Sequence, residues 1–304
     1  TSPCEPQMPS SEFRTFTEAL AAARLDPTHP IADQRAGYDM LGALLPLADD
    51  VDVTPVDAGG VPAELLVPTN ARDATAVAGG AIVVLHGGGY CIGRPGSHRP
   101  FSTHLAAATR RPVLLVDYRL APEHPHPAAL DDAVAAWRWL EAQHRGAPVS
   151  VVGDSAGGGL ALALCLALRA EGAALPDRVA LLSPWVDLTC DAASIDERAE
   201  VDPILHRALI ESWSANYRAG QPATDPLVSP LFADLGGLCP LLVMVGGHEV
   251  LYDDAVGLIE QATAAGVDVT SWIEDDLCHT WPVFVGAFPE AHAGVEQLGR
   301  WLGT

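Results

Sequence analysis

Val149-Ser150-Val151-Val152-Gly153-Asp154-Ser155-Ala156-Gly157-Gly158-Gly159 decides how this chain is read. A short apolar run enters a G-x-S-x-G pentad, and a second apolar run continues to Leu168. That pattern predicts a strand over 149–152, a sharp turn and a helix over 156–171. A turn that sharp presses the strand end against the helix start, so positions 153 and 157 need glycine. It also holds Ser155 out of the sheet edge, with its hydroxyl at the positive end of a helix. Ser155 is therefore the candidate nucleophile.

Outward from this pentad the same grammar recurs. Short apolar runs stand at 81–85, 113–116, 179–182 and 241–245, with a further strand expected at 267–273. Several are continuous rather than alternating, as strands covered on both faces should be. Helical stretches fall between them, at about 98–109, 130–144, 251–265 and 289–302. Strands alternating with helices predict an α/β fold with a mostly parallel sheet. Residues 51–67 turn at Gly59-Gly60 and predict a hairpin. Residues 1–50 carry apolar residues at helical spacing (Phe13, Phe16, Leu20, Leu25) and are expected to form cap helices. The stretch 185–225 fits no strand and is expected to be a further helical cap insertion in a catalytic domain spanning 51–304.

Composition removes several functions. The chain has 304 residues with 17 basic and 39 acidic side chains, a net charge of -22, and no lysine. Such a surface repels phosphate backbones and anionic lipid heads, so neither nucleic acid nor membrane is an expected partner. Mean hydropathy is positive at +0.18. The longest apolar stretch, 155–168, is nonetheless shorter than the roughly 20 residues a membrane span needs. No basic segment followed by an apolar one opens the sequence, so no signal peptide is expected. Cysteines at 4, 91, 165, 190, 239 and 278 form no C-x-x-C pair. Zinc is not expected, and reduced thiols in a cytoplasmic protein are. A homodimer is allowed by all of this and specified by none of it.

Two more stretches carry chemistry. His86-Gly87-Gly88-Gly89 follows the run 81–85. Acyl transfer builds an oxyanion, which needs preorganised N–H donors. A glycine run can turn its amides inward, so Gly88, Gly89 and the amide of Ala156 are the candidate donors. A phosphate loop is the competing reading, but no lysine, serine or threonine follows as such a loop requires. His86 is read as a brace for the loop rather than a proton carrier. A nucleophilic serine also needs a base and an acid later in the chain. His279 sits just past the last expected strand. His248 and His292 are the other late histidines, and His292 falls on the terminal helix. The acid should lie in the loop after 241–245, which holds Glu249 and Asp253.

With HGGG and GDSAG in these positions, the chain resembles the hormone-sensitive-lipase family of bacterial esterases. Asp117-Tyr118-Arg119-Leu120-Ala121-Pro122-Glu123, Ser183-Pro184-Trp185-Val186-Asp187 and Asp225-Pro226-Leu227-Val228-Ser229-Pro230 are similar to it as well. The resemblance covers about 80–300, and 25–80 more weakly. It implies the α/β-hydrolase fold, with an eight-stranded sheet and an N-terminal helical cap. It implies a Ser155–His279–acid triad working through an acyl-enzyme, with no cofactor and no metal. The family's usual acid is an Asp in a D-P-L-x-D stretch; the matching position here is Glu249, followed by Val250. Glu249 lies four residues past the strand end near Val245. Asp253 lies eight past it and is expected to begin a helix, where an acidic residue has a structural role. The expected substrate is a small-molecule ester of a short to medium acyl chain. Tyr90, Trp185 and Trp213 are the candidate pocket residues. Asp117, Tyr118, Arg119 and Glu123 are expected to brace the oxyanion loop. An acyltransferase or a lactone-processing enzyme would use the same residues. A non-catalytic receptor on this scaffold should lack a triad member.

Overall fold

A computed structural model describes residues 8–69 and 79–303. Cys4 and the first seven residues of the N-terminal segment lie outside the described residues. Eight strands form one sheet: β1 (Val51–Asp57), β2 (Pro62–Pro68), β3 (Ala81–Leu85), β4 (Val113–Val116), β5 (Val149–Asp154), β6 (Val179–Leu182), β7 (Leu241–His248) and β8 (Val269–Cys278). Their order is β1-β2-β4-β3-β5-β6-β7-β8. β2 runs antiparallel to both of its neighbours, completing the expected hairpin with β1, and the remaining pairs are parallel.

The helices are α1 (Ser11–Ala22), α2 (Ile31–Ala43), α3 (Pro95–Thr109), α4 (Ala128–Gln143), α5 (Ala156–Ala170), α6 (Ser194–Glu197), α7 (Arg207–Arg218), α8 (Tyr252–Ala264) and α9 (Pro289–Leu302). Every residue of β3, β4 and β5 is buried, which is why those runs carry no polar alternation. Val83, Leu85 and Val151 point to the face covered by α4, α5 and α8. Ile82, Val84 and Val152 point to the face covered by α3 and α9. The period of two along each strand thus builds a three-layer core. Among the described residues, no helix is long and apolar enough to cross a membrane.

β8 corrects the expectation of a strand over 267–273. It extends to Cys278, through the acidic Glu274-Asp275-Asp276. It is the sheet edge, where side chains meet water and polar residues are tolerated. The longer strand delivers His279 directly to the rim where β5 ends.

The two N-terminal helices are fastened over that rim. Ser10 caps α1 by accepting the Phe13 N–H at 3.1 Å, and its own N–H and hydroxyl donate to Glu290 of α9 at 2.6 and 2.9 Å. The Phe13 and Phe288 rings meet edge to face at 5.1 Å. Arg35 of α2 donates to the carbonyls of Cys91 and Ala121 at 2.9 and 3.0 Å, and to Glu123 at 2.6 Å. α2 therefore packs on the loop that leaves the glycine run and on α3, where a Cβ on Gly42 would lie 2.5 Å from Ser97 Cα.

Candidate active site

β5 ends at Asp154, and Ser155 takes φ 53°, ψ -120° before α5 begins. A side chain other than glycine is strained in that region, by about 1–3 kcal/mol. The surrounding contacts enforce it. A Cβ on Gly153 would lie 2.2 Å from the Gly157 oxygen, and one on Gly157 would lie 2.0 Å from the Leu85 oxygen. The Ser155 N–H is held by the Leu182 carbonyl at 2.8 Å.

His279 emerges from β8 buried, 4 % exposed, and its Nδ1 stands 3.2 Å from Glu249 Oε1. Glu249 is fully buried, which a carboxylate tolerates only when its oxygens are supplied with donors. Its Oε2 accepts the Ser183 hydroxyl at 2.7 Å and the Gly246 N–H at 2.9 Å. The carboxylate keeps the proton on Nδ1, which leaves Nε2 as the base nitrogen of the neutral ring. Burial pulls the His279 pKa down. The Glu249 hydrogen bond and charge, with the charges of Asp202 and Asp154, outweigh it and leave the imidazole above its ordinary 6.5. Asp253, the other carboxylate of this loop, sits in the first turn of α8 and accepts the Ser194 N–H at 2.8 Å.

Asp154 joins the serine turn to the glycine loop. Its Oδ1 accepts the Gly87 N–H at 2.9 Å, and its Oδ2 lies 3.3 Å from Nε2 of the buried His98. Among the described residues, no hydrogen bond takes up the N–H of Gly88, Gly89 or Ala156. Ala156 is the first residue of α5, whose opening amides have no partner within the helix. His86 lies behind the loop. Its Nδ1 is 2.8 Å from the Gly87 oxygen, and its ring stacks on Tyr118 at 4.1 Å. Burial, with His98 nearby, pushes its pKa down to about 3, so the ring stays neutral. The Tyr118 hydroxyl donates to the His86 carbonyl at 2.6 Å, and Arg119 pairs with Asp132 at 2.7 Å.

Ser155, His279, Gly88 and Asp154 line one cavity of about 270 Å³. Its walls come from α1 and α2 (Leu20, Tyr38, Leu41), from Leu25 in the connection between them, from 185–225 (Ile204, Leu205, Trp213) and from Phe284. Of the three candidate pocket residues, Trp213 lines this cavity, and Tyr90 and Trp185 do not. Tyr90 turns inward and stacks on Tyr217 at 3.7 Å, and its hydroxyl packs where a Cβ on Gly159 would be 2.6 Å away. Trp185 is 1 % exposed and donates through Nε1 to the Asp187 carbonyl at 3.0 Å. Both fill the core behind α5.

Three residues of the site were not singled out by the sequence. Ser183 links Glu249 to the loop that carries His279 by donating to the carboxylate and accepting the Thr280 N–H at 2.9 Å. Asp202 accepts the N–H groups of Ile204, Leu205 and Val250, each at 2.8 Å, and so shapes the loop after Glu249. Asp154 was visible only as the middle of a motif. Ser183-Pro184 at the end of a strand was the one signal available for the first of these.

A strained serine at a strand–helix turn, a buried carboxylate–imidazole pair and three unclaimed amides define an α/β-hydrolase. The family profile described as the alpha/beta hydrolase fold matches residues 82–283. The structure is similar to that of an esterase from the bacterial hormone-sensitive lipase family, with a TM-score of 0.91 and 40% identity over 98% of this chain and 99% of that one. In sequence it is 42% identical to an acetyl-hydrolase of Streptomyces hygroscopicus over 229 residues, 74% of this chain and 76% of the relative. It is 35% identical to an esterase of Acinetobacter venetianus over 94% of both chains. The chain belongs to the hormone-sensitive-lipase family of bacterial carboxylesterases.

Proposed function

We propose that this carboxylesterase cleaves small-molecule esters of short to medium acyl chains through a Ser155–His279–Glu249 triad. His279 Nε2 takes the Ser155 proton as Oγ attacks the ester carbonyl carbon. The carbonyl oxygen becomes an oxyanion that accepts from the amides of Gly88, Gly89 and Ala156. The C–O bond to the alcohol breaks, and His279 protonates the departing oxygen. His279 then takes a proton from water as its oxygen attacks the acyl carbon; the bond from that carbon to Ser155 Oγ breaks, the carboxylic acid leaves, and His279 returns the proton to Oγ. Glu249 stays ionised throughout and stabilises the imidazolium.

The observation that carries this reading is the buried Glu249–His279 contact beside a cavity that also holds Ser155. The chain-length reading rests on size and lining. The cavity, at about 270 Å³, is at the small end of ligand sites, whose range begins near about 300 Å³. Its walls are mainly aliphatic and aromatic, which suits a hydrocarbon chain. Two measurements test it. A serine-directed phosphonate should label Ser155 alone, read by peptide mass spectrometry. Among p-nitrophenyl acetate, butyrate, octanoate and palmitate, kcat/KM should peak at one of the first three. Labelling elsewhere, or a peak at palmitate, would refute the corresponding part.

A further inference from the structure

Gly89 cannot carry a side chain, because a Cβ there would lie 2.1 Å from Trp213 Cε3. The indole of α7 is thus packed against the third glycine of the oxyanion loop. The same loop is held to Trp213 again by the Cys91 thiol, 3.8 Å from the Trp213 carbonyl oxygen. Trp213 in turn is fixed from the opposite side. Its Nε1–H donates to Gln34 Oε1 at 3.0 Å, and Gln34 Nε2 donates to the His29 carbonyl at 2.9 Å. Gln34 is 4 % exposed, an uncommon place for an uncharged amide on a helix that caps an active site. Both ends of that amide are satisfied, so its orientation is fixed and so is the height of the indole.

We infer that Gln34 is a positioning residue for catalysis, holding the oxyanion loop through Trp213. This rests on the proposed Ser155 chemistry. Oxyanion donors act because their placement is fixed before charge develops, and a small misplacement costs rate rather than affinity. The peptide units that carry the Gly88 and Gly89 amides are pinned at their carbonyl ends, Gly87 O by His86 Nδ1 at 2.8 Å and Gly88 O by the Cys91 and Ile92 N–H groups at 3.0 and 2.9 Å. Those bonds leave the Gly89 Cα side to packing alone, and the indole is what packs there. α2 therefore does more than wall the cavity. The cap reaches the reacting centre through one amide and one ring.

Gln34→Leu keeps the volume and removes the acceptor. With p-nitrophenyl butyrate it should lower kcat about tenfold and leave KM within about twofold, a part of the roughly 100-fold cost of losing an oxyanion donor outright. Trp213→Phe, which loses the Nε1–H, should show the same split. The double variant should be no slower than the slower single one, because both act through one contact. A change confined to KM, an unchanged kcat, or losses that multiply in the double variant would overturn the inference. Should Gln34→Leu not fold by circular dichroism, the kcat–KM split of Trp213→Phe decides alone. Ser155→Ala run beside these separates the two readings. If wild-type hydrolysis survives that change, the Ser155 chemistry fails and the inference falls with it. If only Gln34→Leu is silent, the inference alone fails.

Discussion

Glu249 Oε1 lies 3.2 Å from His279 Nδ1, and neither side chain is open to water. Thirty residues separate the two in the chain, and only the pairing of β7 with β8 brings them together. β7 ends in a register shift between Gly246 and His248 that pairs His248 with Cys278. Glu249 and His279 then follow side by side.

This contact is why Glu249 rather than Asp253 is proposed as the acid, and Glu249→Gln tests it. The amide can present its NH₂ to Nδ1 and favour the wrong tautomer, with a loss of kcat on the order of 10,000-fold. Asp253→Asn should keep kcat within a few-fold and lower Tm, because its carboxylate holds only the Ser194 N–H. Steady-state kinetics on both folded variants checks this. An inactive Asp253→Asn beside a near-normal Glu249→Gln would reverse the assignment.

The pH profile follows from the same pair. Burial alone would lower the His279 pKa, but Glu249, Asp202 and Asp154 raise it above 6.5. The base must be neutral, so the acid limb of kcat/KM should fall above pH 6.5. In the residual activity of Glu249→Gln, burial is less opposed and the limb should move down. For stability the sign is opposite. The raised His279 pKa contributes stability that is full below 6.5 and is lost as pH rises through the folded value.

Ser183 gives a third test. Ser183→Ala removes a donor from a buried carboxylate and leaves the Thr280 N–H without its acceptor. Hydrogen bonds to charged groups contribute about 1.5–3 kcal/mol, so denaturant unfolding should show a loss of that order. The kcat should fall while Ser155 labelling by phosphonate persists at a lower rate. An unaltered midpoint and kcat would show that Ser183 is dispensable.

Asp254 is buried in α8 and accepts the N–H groups of Val186 and Asp187 on one oxygen, at 2.9 and 2.8 Å. Its other oxygen has no partner among the described residues. Burial raises its pKa from 3.8 to about 8, against the pull of those two amides. A raised carboxyl pKa contributes stability that is full below 3.8 and is lost as pH rises toward 8. Asp254→Asn should remove that dependence. The Tm difference between wild type and variant should shift in favour of the variant from pH 4 to pH 8. A difference constant over that range would mean that Asp254 titrates normally.

The turn at Ser155 was legible because two constraints coincide there, a hydrophobic period that changes from strand to helix and glycines where backbones touch. The buried strands were legible because both faces are covered. β8 was underestimated because an edge strand admits Glu274, Asp275 and Asp276, which mask its period. Tyr90 and Trp185 were misplaced for a different reason. Proximity to a motif in sequence does not say which way a side chain leaves the backbone, and at φ 60° Tyr90 turns away from the cavity. Gln34 and Asp202 carry no motif at all, and Ser183 stands in a family-like stretch that does not say what its hydroxyl touches. Their roles arise from contacts between elements up to 179 residues apart, which no local pattern encodes.

The central claim is that Ser155 supplies the attacking oxygen, and Ser155→Ala tests it most directly. The substitution removes only Oγ; Ala at φ 53° keeps about the same backbone strain, so the fold should persist by circular dichroism. Hydrolysis of p-nitrophenyl butyrate by the purified variant should fall by about a millionfold in kcat, to what binding and the oxyanion donors alone provide. Turnover near the wild-type rate in the folded variant would contradict the account.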